Sequence, residues 1–203
     1  MTTELILNPP ADPFSFFESW YADAKAFGIH MPEAMCLSTI TPEDWPSARF
    51  VLLRGHDDHG FKFFTNYESE KAHDLATHPQ AALTFHWALQ ERQVRIQGAI
   101  VKTTTAESDA YWQSRPRGHR LGALASQQSQ PIADPHILLE RERELEKKFP
   151  DEDVPRPAHW GGFRVLPLRI EFWQGRKNRL HDRVRYSRQT TDSLAWSRER
   201  LQP

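Results

Sequence analysis

The stretch FRVLPLRIEFWQGRKNRLHDRVRYSR, from Phe163 to Arg188, decides the architecture. Between Phe163 and Trp173, Leu168, Ile170 and Phe172 alternate toward one side with the period of two that a half-buried strand requires. Gln174-Gly175 begins a connection back, and Arg183 to Arg188 reads as a returning strand. Two strands joined by a short link pair antiparallel. Inside the link, Arg179, His181 and Arg183 fall at alternate positions, so a strand reaching back to Arg179 would place all three on one face. Two guanidinium groups flanking an imidazole repel unless something anionic or aromatic lies over them. With Trp173 just upstream, the density of Arg, His and Trp suggests a pocket for a flat, phosphorylated ligand. A solvated edge strand, charged to discourage aggregation, would carry the same pattern.

Working outward, Asp12-Pro13 is a helix start, with Asp as N-cap and Pro at the first helical position. Phe17, Trp20, Tyr21, Ala24 and Phe27 recur at helical spacing, and Gly28 closes the segment. Strands are expected at 35–40 and 47–54, joined across Thr41 to Pro46. His56-Asp57-Asp58-His59-Gly60 reads as a turn into Phe61 to Thr65, since adjacent turn positions splay apart and do not converge on a metal. A short helix over 68–78 with Ser69 as cap stops before Pro79. Strands resume at 81–87 and 92–101, the latter with Gln93, Arg95 and Gln97 on one face and Val94 and Ile96 on the other. Thr104 and Glu107 form a capping box for a helix ending near Arg115, before Pro116. Asp134-Pro135 opens a charged helix with Leu138, Leu145 and Phe149 on its apolar face. Pro150 to Pro157 is a linker, Trp160-Gly161-Gly162 turns into the Phe163 strand, and a last strand is expected at 194–198. These elements predict a mainly β, α+β fold: an antiparallel barrel with four peripheral helices, in one domain over residues 1–203 with about the first 11 flexible.

Composition fits a globular chain: 38% hydrophobic and 26% charged residues, with 7 Trp and 12 Phe among 203. No apolar run approaches the roughly 20 residues that span a bilayer, and the N-terminus lacks the pattern of a secretory leader. The single cysteine, Cys36, excludes an internal disulfide and reads as a buried small hydrophobe, and the cytoplasm is the expected compartment. The net charge of −1 hides an asymmetry: residues 156–203 hold ten Arg and one Lys against four acids. A basic C-terminal third is compatible with nucleic-acid binding, and equally with convergence on a small anion.

Phosphate-loop, dinucleotide, zinc-protease, CxxC and GxSxG motifs are all absent, and no His/Cys cluster has zinc spacing, so no metal is expected. What remains is a set of Arg, Lys, Tyr, Ser and Gln at element ends, the donors that phosphate recognition uses. Arg49 and Arg54, five apart, point to opposite faces of a regular strand or one of them lies past its end. Lys71, just inside a helix start, is well placed for a phosphate. Each alone is as readily a surface cation.

Taken in order, RFVLLR (49–54), FFTN (63–66), SEKAH (69–73), ERQV (91–94), YWQSRPR (111–117), QQS (127–129), WGGFR (160–164), EFWQG (171–175) and RLHDR (179–183) resemble the pyridoxine (pyridoxamine) 5′-phosphate oxidase family. The resemblance runs over nearly the whole chain, and EFWQG with RLHDR is its most specific part. It implies an FMN-binding split β-barrel, a homodimer with FMN at the subunit interface, and O2 as electron acceptor, with no nucleic-acid or membrane partner. Matched position by position, the flavin site comprises Arg49, Phe50, Val51, Leu52, Leu53, Arg54, Phe64, Thr65, Glu70, Lys71, Gln93, Gln128, Ser129, Trp173 and Arg183. The substrate phosphate would meet Arg54, Tyr111, Arg115 and His119. Arg179 and His181 would contact the pyridine ring and act in catalysis. On this reading Arg49 serves the flavin and Arg54 the substrate.

Three positions depart from the family pattern. Arg54 replaces a usual Lys, exchanging a point donor for a planar fork. Glu70 stands where many members have Arg near the flavin phosphate, and is expected to turn toward solvent or a cation. His119 replaces a usual Ser and still donates to phosphate. The implied reaction is oxidation of the phosphorylated substrate to pyridoxal 5′-phosphate with release of hydrogen peroxide. Two other readings share the barrel: a phenazine-pathway-type FMN oxidase, and a flavin-, haem- or pyridoxal-phosphate-binding protein without turnover. Intact Tyr111, Arg115, Arg179 and His181 argue for the phosphorylated pyridine.

Overall fold

The computed structural model describes residues 6, 8–151 and 153–203. The chain begins with α1 (Pro13–Ala26), followed by β1 (Ala34–Ile40), β2 (Pro46–Leu52), β3 (Gly55–Asp57) and β4 (Gly60–Asn66). Next come α2 (Glu70–Thr77), β5 (Gln80–Trp87), β6 (Arg92–Lys102), α3 (Thr105–Ser114), α4 (Arg117–Ala125) and α5 (His136–Lys148). The chain closes with β7 (Trp160–Gln174), β8 (Asp182–Ser187) and β9 (Ser197–Leu201).

All nine strands belong to one antiparallel sheet, in the order β2-β1-β5-β6-β7-β4-β3 with β8 and β9 branching from β7. The branch makes the barrel split. One edge of β7 pairs with β6 along nearly its whole length; on the other, Trp160–Val165 pairs with β4 and Arg169–Gln174 with β8. A β-bulge lets one strand serve both. Gln97 faces Arg169 while Gly98 faces Pro167, so Leu168 is the extra residue. Below it Phe163 and Val165 face the core; above it Ile170 and Phe172 do. The inward parity thus changes across Leu168, as an inserted residue requires. Gly98 permits the bulge, since a Cβ there would lie 2.0 Å from the Leu166 carbonyl oxygen.

The core fills the curled sheet and is closed by α1. Phe17, Met35, Leu37, Phe61, Phe63, Leu83, Phe85, Ile96 and Phe172 are fully buried, with Phe16, Trp20 and Ala24 of α1 packed among them. Asp12 caps α1 as expected, accepting from the Phe14 and Ser15 amides. Both arms of the Thr104–Glu107 capping box are present. A smaller cluster of Trp112, Leu121, Val154 and Trp160 ties α3 and α4 to the start of β7.

Several local expectations are corrected. Phe27 leaves the α1 stripe because the helix ends at Ala26, and it is exposed. Trp160-Gly161-Gly162 is not a turn but the first part of β7: a Cβ on Gly161 would strike the Tyr67 hydroxyl, and one on Gly162 the Phe64 ring. Ser69 does not cap α2 with its side chain; its hydroxyl donates back to the Asn66 carbonyl. Cys36 is half-buried on the outward face of β1, since Met35, Leu37 and Thr39 take the inward positions. Helix α4 follows Pro116 directly and adds a fifth helix; its Gly118 and Gly122 hide it from periodicity. The last strand lies at Ser197–Leu201 rather than 194–198. The segment expected to be flexible falls partly outside the described residues; within it the Pro10 carbonyl accepts from the Tyr186 hydroxyl. No helix among the described residues is long and apolar enough to cross a membrane.

One charged cluster joins the β3–β4 hairpin to α3. Arg164 bridges Asp57 and Glu107, and Lys62 lies 3.5 Å from Asp57 and 3.3 Å from Glu107. Burial acts to raise the Asp57 pKa, but hydrogen bonds from Arg164 and the His59 amide, with both cations, bring it down to about 2. The Thr104 backbone amide, then Arg164 and Lys62, hold Glu107 at about 2 despite its partial burial. Both groups stay ionised in the fold at pH values where the unfolded chain binds protons. Their stabilisation is complete above roughly pH 5 and is lost as pH falls toward 2. Thermal unfolding should show Tm declining across that window, with a shallower decline in Asp57→Asn; an equal slope would remove Asp57 as a cause.

Candidate active site

Strand β2 ends at Leu52, and the chain beyond it turns so that the Arg54 amide bonds to the Lys62 carbonyl, 2.8 Å. Arg54 therefore lies past the strand end, which resolves the five-residue spacing. Its side chain, with Phe50, Val51 and Leu52, lines a cavity of about 720 Å³. The far walls come from β4 (Phe64, Thr65, Asn66), α2 (Lys71), α3 with its exit (Tyr111, Ser114, Arg115), α4 (His119, Gly122, Ala123), Gln128 and Trp160.

One donor set in this cavity centres on Lys71. Its ammonium lies 3.1 Å from Gln128 Oε1 and 3.4 Å from Thr65 Oγ1, and Thr65 Oγ1 itself donates to Gln128 Oε1 at 2.9 Å. Burial and then the nearby Arg49 charge push the Lys71 pKa down, so an anion placed here would meet a cation that has lost part of its solvation. Arg49 does not line the cavity. Its guanidinium is drawn onto buried Asp74 at 3.2 Å, with Thr39 Oγ1 at 2.5 Å and Ser47 Oγ at 2.7 Å. Asp74 and Thr39 carry no sequence signal of this role, because nothing local shows that a helix Asp three residues after Lys71 points inward.

The second donor set is built on stacked rings. Phe64, Tyr111 and Trp160 lie nearly parallel, with Phe64–Tyr111 centroids 4.0 Å apart and Phe64–Trp160 5.6 Å. Gly162 allows the Phe64 ring its place. The Arg115 guanidinium lies 4.7 Å from the Trp160 ring and 5.2 Å from the Trp112 ring. Its Nη1 is buried and has no hydrogen-bond partner among the described residues. Burial lowers its pKa, and Arg54 and Arg120 add to that, so this arginine sits in a site that favours an incoming anion. The role of Trp160 and Trp112 in orienting Arg115 is visible only in three dimensions.

The remaining candidates lie elsewhere. Gln93, Trp173 and Arg183 are direct cross-strand partners on β6, β7 and β8, and so form one row on the outer face. Arg183 is held by Glu171 at 2.9 and 2.7 Å. The link from Gly175 to His181 is not a strand: Lys177–Arg179 is a single 3₁₀ turn, with Asn178 at φ 57° and Arg179 at φ 61°. Arg179, His181 and Arg183 therefore do not form the strand row expected of them. Arg179 is exposed, while the His181 ring lies 4.6 Å from that of Trp173 and its Nδ1 accepts from the Arg176 amide at 3.2 Å. That bond leaves Nε2 as the N–H of the neutral imidazole.

Two flavin-site expectations, Leu53 and Ser129, meet a different placement, while Glu70 faces solvent, as expected of a carboxylate at its position. Leu53 is 4% exposed and its side chain belongs to the core, turning inward just past the end of β2. Glu70 is exposed on the first turn of α2 and Ser129 is exposed with φ 72°; neither lines the cavity.

The donor chemistry fits a phosphorylated flavin: a lysine, a hydroxyl and an amide around one anion position, beside apolar Phe50, Val51 and Leu52. Comparison with known proteins points the same way. Residues 22–146 match the family model described as pyridoxamine 5′-phosphate oxidase, and residues 160–203 the model for the pyridoxine 5′-phosphate oxidase C-terminal dimerisation region. A pyridoxine/pyridoxamine 5′-phosphate oxidase of Burkholderia orbicola is 52% identical over 192 residues, 95% of this chain and 89% of that protein. One from Pseudomonas paraeruginosa is 53% identical over 198 residues, 97% and 91% of the two chains. Among solved structures, PhzG from Burkholderia lata, in complex with tetrahydrophenazine-1-carboxylic acid, superposes with a TM-score of 0.90 at 31% identity over 97% of this chain and 95% of that one. An FMN-binding protein of Nostoc punctiforme shares the fold at a TM-score of 0.75 and 18% identity, over 96% of this chain and 100% of that one.

Proposed function

The chain belongs to the pyridoxine/pyridoxamine 5′-phosphate oxidase family, and on that premise we propose that it oxidises pyridoxine or pyridoxamine 5′-phosphate to pyridoxal 5′-phosphate with FMN. One observation carries the reading: a single cavity holds two separate sets of anion donors, Lys71–Thr65–Gln128 and Arg54–Tyr111–Arg115–His119. A phosphorylated cofactor beside a phosphorylated substrate needs two such sets.

Bound FMN would supply the redox chemistry, accepting a hydride from the substrate carbon and passing two electrons to O2 to give hydrogen peroxide; with the amine substrate, water would then hydrolyse the imine and release ammonia. The protein's part is binding and orientation. Lys71, Thr65 and Gln128 would hold the cofactor phosphate, with Arg49 adding fixed charge behind them. Arg115, resting against the Trp112 and Trp160 rings, and Arg54 would clamp the substrate phosphate, while Tyr111 and His119 donate to it. His181, with Nε2 as donor, would bind the hydroxyl of the pyridine ring, and Arg179 would hold the ring against the flavin. No side chain is assigned as general base.

The cavity is lined by none of Gln93, Trp173, Arg179, His181 or Arg183. We place them in the site from a second copy: in a homodimer the β6–β8 face of one subunit would close the cavity of the other, giving two FMN sites at the interface. The match of residues 160–203 to a dimerisation region supports this arrangement.

The purified protein should be a yellow dimer that consumes oxygen with pyridoxine 5′-phosphate and pyridoxamine 5′-phosphate. Oxygen uptake is to be measured with both, and with tetrahydrophenazine-1-carboxylic acid as the competing substrate. Colourless protein unable to take up added FMN would refute the flavin assignment, and preference for the tricyclic acid would refute the substrate assignment.

A further inference from the structure

Arg183 is fixed by a carboxylate that has no part in the reading above. Glu171 lies two residues before Trp173 on β7, hence on the same outer face as the Gln93–Trp173–Arg183 row. It is only 7% exposed. Its Oε1 accepts from both Arg183 Nε, 2.9 Å, and Arg183 Nη2, 2.7 Å. On the other side, Arg183 Nη1 donates to the Gln202 carbonyl at 3.0 Å. The other charged groups around the carboxylate are Arg95, whose Nη1 is 3.6 Å from Oε2, and Arg185, directly across the strand pair but bound to Glu199.

This geometry selects which end of the guanidinium is available. Glu171 occupies the Nε–Nη2 edge and Gln202 one Nη1 hydrogen, so one N–H remains on each of Nη1 and Nη2. The remaining Nη2 N–H lies at the distal end of the fork, where an acceptor could be met. Without the carboxylate, the half-buried guanidinium keeps one neutral acceptor and is free to rotate about its long side chain. A buried ion pair alone is weak evidence for stability; here the pair fixes the direction of a donor that the site uses.

We propose that Glu171 is a positioning residue for flavin binding, acting through Arg183. The inference rests on the reading that Arg183 contacts the flavin of the partner's cavity. Because the outer-face row would meet the ring system and not the phosphate, the loss should not depend on the phosphate group.

The test is titration of flavin-free protein with FMN and with riboflavin, following flavin fluorescence, in wild type, Arg183→Met, Glu171→Leu, Glu171→Gln and the Arg183→Met/Glu171→Leu double variant. Glu171→Leu should weaken both flavins about tenfold, as loss of an orienting outer-shell partner commonly does. Glu171→Gln, which keeps an acceptor, should weaken them less, and it carries the test if the leucine variant does not fold. Adding Glu171→Leu to Arg183→Met should cost nothing further in affinity, the signature that a merely structural role would not produce. If Arg183→Met leaves both affinities unchanged, the flavin contact of Arg183 is wrong. If Arg183→Met weakens binding while the Glu171 variants do not, or if they weaken it equally without Arg183, the positioning role is overturned.

Discussion

Arg115→Met is expected to raise KM for pyridoxine 5′-phosphate about a hundredfold while leaving kcat within a few-fold of wild type. Truncating one partner of a buried, hydrogen-bonded charge pair costs roughly 2–5 kcal/mol, and the middle of that range corresponds to a factor of several hundred. Paired with the substrate phosphate, Arg115 would fall in that class: its Nη1 is buried without a partner among the described residues, and the planar group rests on the Trp112 and Trp160 rings. The substrate phosphate is remote from the reacting carbon, so its binding energy is shared by ground and transition states and should appear in KM. Methionine can cover the same indole surface without charge, which separates loss of the cation from loss of packing. The check is steady-state kinetics with pyridoxine and its 5′-phosphate. The variant should lose most of its preference for the phosphorylated form, and an unchanged KM would place the phosphate elsewhere.

Arg179→Met is expected to act in the opposite sense, cutting turnover about a hundredfold with flavin affinity retained. Arg179 holds φ 61° beside Asn178 at φ 57°, a left-handed conformation that costs a non-glycine residue roughly 1–2 kcal/mol. Strain of this kind at an exposed arginine calls for a function. A guanidinium carried by a tight turn, close in sequence to the Trp173–His181 pair, can press a ring against the cofactor and stabilise negative charge developing near it. A preorganised donor of this sort is worth on the order of 10²–10³ in rate. Rapid mixing of the flavin-loaded variant with substrate, without oxygen, would isolate the reductive step. An unaltered rate of flavin reduction would remove Arg179 from the mechanism.

The fold was legible wherever a local rule sufficed. Asp12-Pro13 and the Thr104–Glu107 box start α1 and α3 through hydrogen bonds made within four residues, so their chemistry needs no tertiary partner. The alternation of Val94 and Ile96 against Gln93 and Arg95 describes β6 because a two-residue period has only one reading on a half-buried sheet. Local rules failed where a distant contact overrode them. Trp160-Gly161-Gly162 carries turn residues but is strand, because Tyr67 and Phe64 occupy the space that side chains would take. The switch of inward parity at Leu168 arises from a bulge set by pairing with β6, across some seventy residues of chain.

The site divides the same way. By itself, the sequence determined an antiparallel β architecture and the ordered set of motifs that placed the chain in its family, since residue types and spacings survive without coordinates. Only the tertiary structure decided how those residues group. It put Arg54, Tyr111, Arg115 and His119 with Lys71 and Gln128 around one cavity, set the Gln93–Trp173–Arg183 row on a separate face, and broke up the expected row of Arg179, His181 and Arg183. It also chose the partners of the charges, giving Arg49 to Asp74 and Arg183 to Glu171. A sequence records that a cation is present. Which carboxylate or ring holds it depends on burial and on strand register, and those arise only when distant segments pack.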